Sequence, residues 1–73
     1  MKKVKITFEI LGSHEVYAFR VYDPDFDEWF LDTAYHFVRK ENDTKIDAEY
    51  LNYRIVSKLL EYIRMGYEII DDR

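Results

Sequence analysis

The sequence predicts an α+β fold of order ββααβ: an N-terminal antiparallel hairpin, two antiparallel helices, and a short C-terminal strand that completes a three-stranded sheet. Three observations carry that expectation. Residues 4–22 alternate apolar and polar side chains around a glycine break, residues 26–37 and 48–63 repeat apolar residues at three- and four-residue spacing, and Gly66 separates the second repeat from a final β-rich run. The 73 residues carry no repeat, linker or low-complexity stretch, so residues 1–73 form one small domain.

The hairpin follows from alternation. Val4, Ile6, Phe8 and Ile10 fall on one side of the first strand, with Lys3, Lys5, Thr7 and Glu9 on the other. Val16 to Tyr22 is a second β-rich run, and Gly12-Ser13 between them suits a two-residue type II′ turn, which needs glycine first. That turn sets Leu11 opposite His14, and with it Phe8 opposite Tyr17, Ile6 opposite Phe19 and Val4 opposite Val21. These six side chains are all apolar or aromatic, and a one-residue slip would send one strand's set to the other face.

Next comes an acidic corner, Asp23-Pro24-Asp25-Phe26-Asp27-Glu28. Asp23, Asp25 and Asp27 match the first three ligand positions of a calcium loop of EF-hand type, but Glu28 stands where the turn glycine belongs and Ala34 where the bidentate glutamate belongs. A helix start accounts for more residues: Asp25 and Glu28 fit a capping box, Pro24 and Trp29 a hydrophobic staple, with Asp23 as a rival cap. Phe26, Trp29, Phe30, Thr33, Ala34 and Phe37 then recur at helical spacing, which predicts a first helix from about Phe26 to Glu41 with Trp29 beginning its core face.

Asn42-Asp43-Thr44 reads as a polar connection, with Thr44 and Asp47 as a capping box and Asp43 as a rival cap. A second helix follows from about Lys45 to Met65, ended by Gly66 in the left-handed conformation, and Tyr67 to Ile70 is the closing strand. Leu51, Ile55, Leu59, Tyr62 and Ala48 form its core stripe. Tyr53, Val56, Leu60 and Ile63 widen the apolar sector to roughly 200°, against a stripe little more than 100° wide on a one-sided helix. Two coverings fit the surplus: the first helix, or a second copy of the chain.

Composition narrows the function classes. The chain lacks cysteine, so disulfides and thiolate zinc sites are excluded, and a reducing, cytoplasmic setting is expected. No secretory leader pattern or long apolar run stands in the sequence, so no membrane partner is expected. Aromatic residues make up 18% (seven Tyr, five Phe, one Trp), more ring area than so short a chain encloses, which predicts a partner surface.

Two glycines make no phosphate loop, Ser13 and Ser57 lack a nucleophile's setting, and no cofactor motif is present. Glu28, Asp32 and His36, four residues apart, would share one side of the first helix, a spacing that a solvated polar face also produces. The expectation is therefore a non-enzymatic protein-interaction module that is homodimeric or binds another protein, with no cofactor and no metal.

Three surfaces are its candidate sites. Tyr50, Tyr53, Val56 and Leu60 form the dimer or partner seam. Lys3, Lys5, Arg20 and Tyr22 gather on the outer face of the hairpin, where cations beside a ring suit a single-stranded nucleic acid or an acidic peptide, although the net charge of −4 opposes general nucleic-acid affinity. Asp23, Asp27 and Asp32 form an acidic docking surface that could imitate nucleic-acid charge.

Overall fold

The structure is a computed structural model that describes residues 2–38 and 45–73, with side chains for 2–38 and 49–73. Strand β1 (Lys3–Leu11) turns into β2 (His14–Asp23), and β2 into β3 (Glu28–Val38). Helix α1 (Lys45–Arg64) precedes β4 (Glu68–Asp72). The sheet runs β3-β2-β1-β4, antiparallel except for β4, which pairs parallel with β1.

The hairpin forms in the expected register, with Val4 opposite Val21, Ile6 opposite Phe19, Phe8 opposite Tyr17 and Leu11 opposite His14. Gly12 takes φ 64° while Ser13 keeps a negative φ, the combination that a type II′ turn requires.

The expected three-stranded sheet with two helices is wrong. Residues 28–38 are a strand, so the described chain has four strands and one helix. The error has a physical source in a β-bulge. Phe19 faces Thr33 but Arg20 faces Leu31, which leaves Asp32 as an extra residue. Crossing the bulge, same-face neighbours lie three apart instead of two: Phe30 to Thr33 on one face, Leu31 to Ala34 on the other. A strand with one such insertion imitates the i, i+3 step of a helix. Trp29, Phe30, Thr33, Tyr35, Phe37 and Val38 are strong strand formers, and here composition outweighs the apparent period.

The capping box and staple at the acidic corner fall with that helix. The Asp23 carboxylate instead accepts the backbone N–H of Asp25 at 2.9 Å, closing an Asx turn, and Asp27 takes φ 53°, a left-handed conformation that Asp tolerates better than most residues. The predicted connection at 42–44 and its caps lie outside the described residues.

One face of the sheet carries α1. Val4, Ile6 and Phe19 meet Ile55 and Tyr62 in a fully buried cluster, with Tyr17, Val21, Tyr35, Leu51, Leu59, Tyr67 and Ile69 packed around it. A helix is about 10 Å across and strands lie about 4.8 Å apart, so one helix covers little more than two of the four strands. The centre of the core is therefore β1 and β2, and Phe30 at the β3 edge stays 48% exposed.

The helix ends as the glycine predicts. Gly66 has φ 85°, its N–H donates to the Ile63 carbonyl at 3.0 Å, and the Tyr67 N–H donates to the Tyr62 carbonyl at 3.0 Å, the paired bonds of a Schellman motif. Its usual apolar contact is present as an edge-to-face pair, Tyr62 on Tyr67 with centroids 5.4 Å apart. The next N–H, of Glu68, donates to the Lys2 carbonyl at 2.7 Å and starts the parallel ladder.

Tyr62 also stacks on Phe19 at 5.5 Å, and its hydroxyl donates to the carboxylate of bulged Asp32. Burial of the ring, and then the bond to Asp32, raise its pKa above the ordinary tyrosine value of 10. The fold thus favours the neutral phenol. This contribution to stability is whole below pH 10 and is lost as pH rises from there toward the raised folded-state value.

Two predictions follow from the core. Phe19→Ala removes a fully buried ring and should cost about 3–5 kcal/mol, a large part of the roughly 4–11 kcal/mol expected for 73 residues, read as a lower urea midpoint. Tyr62→Phe should cost about 1 kcal/mol near neutral pH. Above pH 10 the gap to wild type should narrow; a constant gap would disprove the Tyr62 linkage.

Candidate functional site

Two surfaces of the described chain carry unusual chemistry, the first through half-buried side chains and the second through exposed ones. They are the open face of the sheet and the outer flank of α1.

On the open face, Lys3 and Lys5 stand on β1, and Arg20 and Tyr22 on β2, as the hairpin register requires. The four residues expected to gather there do so. The structure adds Trp29 on β3, which pairs across the strands with Tyr22 of β2. The two rings lie 5.2 Å apart, tilted by 50°. Lys5 Nζ sits 4.3 Å from the Trp29 ring centre and Lys3 Nζ 5.7 Å from that of Tyr22, both cation–π contacts.

Sequence reasoning missed Trp29 by assigning it to a helical core. The signal was available in the turn-forming composition of residues 23–27 between two β-rich runs, which extends the meander by one strand.

Lys5 and Arg20 are direct cross-strand partners, a like-charged pair that weakens a sheet. Among the described residues it is relieved without a counter-ion. Arg20 donates to the Thr7 hydroxyl at 2.7 Å and Lys5 rests on Trp29, while Lys3, Lys5 and Arg20 make no ion pair with any described residue. Carboxylates stand at the borders, with Glu68 beside Lys3 and Asp72 beside Thr7 on β4.

The three acidic candidates are not side by side. Asp23 holds the Asx turn, Asp27 accepts the Tyr22 hydroxyl on the open face, and Asp32 accepts the Tyr62 hydroxyl on the helix face. Glu28, Asp32 and His36 share no helix, and no group of three metal-ligating side chains occurs among the described residues.

On α1, Tyr50, Tyr53, Val56 and Leu60 are all exposed, joined by Ile63 and, just past the helix end, Met65. The first helix that would have covered them does not exist. At 100° per residue, Tyr53, Val56, Leu60 and Ile63 occupy a sector about 80° wide centred about 120° from the core stripe. It lies on the side away from Arg54, whose guanidinium covers the Tyr35 ring of β3 at 4.7 Å. A cleft of about 130 Å³ between α1 and the sheet, lined by Tyr17, Phe37, Leu51 and Arg73, is smaller than the roughly 300 Å³ at which small-molecule pockets begin.

No described helix is long and apolar enough to cross a membrane. Comparison of the chain with protein-family models, with curated proteins and with solved structures finds no match.

The hydrogen bond to Asp27 raises the pKa of Tyr22 above 10, with burial and the charges of Asp27 and Asp23 adding to it. Asp27→Asn should bring the Tyr22 titration down toward about 10, followed by NMR of its ring resonances. An unchanged titration would show that Asp27 does not hold this hydroxyl in solution.

Proposed function

We propose that the chain is a small, non-enzymatic protein-interaction module that works as a homodimer, paired through the outer flank of α1. The observation that supports it is the spacing of the exposed stripe. Tyr53, Val56, Leu60 and Ile63 follow steps of three, four and three, the a/d pattern of a helix-packing seam, and at 69%, 46%, 44% and 54% exposure they have no cover from the described chain.

The stripe is self-complementary. Two copies set antiparallel about a two-fold axis place Tyr53 against the partner's Ile63 and Val56 against the partner's Leu60, so each layer joins one a to one d position and the interface closes on itself. A large ring meets a branched aliphatic at each end, and opposed helix dipoles favour the same orientation. Four layers make a small seam beside the roughly 800 Å² per partner of standard interfaces, so micromolar dissociation is expected.

Sedimentation equilibrium from about 5 to 200 μM should show a 9.0 kDa chain passing to twice its mass. Leu60→Glu should hold it monomeric with unchanged circular dichroism. A wild-type chain that stays monomeric throughout overturns the proposal.

A further inference from the structure

We infer that the open face of the sheet binds a short single-stranded nucleic acid, with Trp29 and Tyr22 stacking bases and Lys3, Lys5 and Arg20 meeting the phosphates. The inference is independent of the dimer. The α1 seam lies on the helix layer, so pairing through it leaves the opposite face of each sheet free.

Three observations carry it together. The first is the adjacency of two rings, 5.2 Å apart, on neighbouring strands of a sheet face that no described element covers, and aromatic side chains side by side on a sheet are what bases stack on. The second is charge: three cations stand within the same patch and none has a carboxylate partner among the described residues. The third is the like-charged Lys5–Arg20 pair, a local arrangement that costs sheet stability and that an anionic ligand would turn into an attraction.

In the free chain the lysines lie on the rings. A phosphate would draw each ammonium off its ring, and the vacated ring face would take a base. Charge and stacking are then exchanged in one movement.

The same features limit the ligand. With three cations against a net charge of −4, and with Asp27 at one border of the patch, duplex DNA finds too little neutralisation. An acidic peptide would satisfy the cations but leave both rings unused. The site fits about two bases, one per ring, and excludes long cooperative binding.

Trp29 is the sole tryptophan, so its emission reports the site directly. Titration with a ten-residue oligothymidylate at 20 mM salt should quench that emission. Anisotropy of a fluorescein-labelled strand should show affinity falling with salt at a log–log slope of about −2, for three phosphates at about 0.7 each. Trp29→Leu should weaken binding at least ten-fold by anisotropy, and Lys5→Gln should reduce the slope by about 0.7, both with the circular dichroism of the parent.

Leu60→Glu, which breaks the seam, should bind with unchanged affinity per chain. Absence of binding at 20 mM salt, or equal quenching by poly-glutamate, overturns the inference. Loss of binding in Leu60→Glu would overturn the placement on the open face alone.

Discussion

The arrangement depends on one side chain, Tyr62. Its ring lies on Phe19 in the central strand and against Tyr67 just past the helix, and its hydroxyl reaches the bulged Asp32 at the far edge of the sheet. Three separately specified features, the hairpin core, the Schellman cap and the bulge, thus converge on one residue. The cap fixes where the helix stops, which fixes where β4 starts; the bulge turns a carboxylate toward the helix; the ring holds both against β1 and β2. A phenylalanine would keep the packing and lose the hydrogen bond to Asp32, leaving Arg54 over the Tyr35 ring as a polar contact between α1 and β3 among the described residues.

That narrowness explains the surface. A single helix over four strands encloses Val4, Ile6, Phe19, Ile55 and Tyr62 and little else, while thirteen aromatic residues must be placed somewhere. Phe19 and Tyr62 take the core and Tyr17, Tyr35 and Tyr67 pack around it, and two further groups lie at the surface. Trp29 and Tyr22 lie on the open face under lysine ammonium groups, which keep ring faces from water without a second layer. Tyr50 and Tyr53 ride on α1 beside apolar residues that no described element covers. The first arrangement is satisfied within the chain; in the second, Tyr50 has the Arg54 guanidinium 5.9 Å from its ring centre while Tyr53 stays 69% exposed.

Much of this could be read from the sequence wherever the period was unbroken. The hairpin register, the helix at 45–64, the glycine cap and the final strand all follow from alternation, a 3.6-residue repeat or one turn residue, and each is set by neighbours close in the chain. The patch of Lys3, Lys5, Arg20 and Tyr22 was legible for the same reason, because one register places all four. Residues 26–38 were misread because the bulge at Asp32 carries no local signature: it is defined by what lies across the strand and by the distant Tyr62 that uses it. Trp29 was lost to the site by that one error. The same error supplied a covering for the α1 stripe that the fold does not contain.

The two edges of the sheet bear on what kind of assembly this chain can make. On one side the outermost strand is five residues long and ends in Asp71 and Asp72; on the other a bulge interrupts β3 midway along its length. Strands finished in these ways make poor templates for another strand, so growth by edge-to-edge pairing, which has no natural end, is discouraged. Contact through a two-fold helix seam, by contrast, uses up its own surface when it forms. With its edges finished in this way, the sheet leaves a closed contact of the proposed kind, and so a particle of fixed size, as the alternative to a fibre.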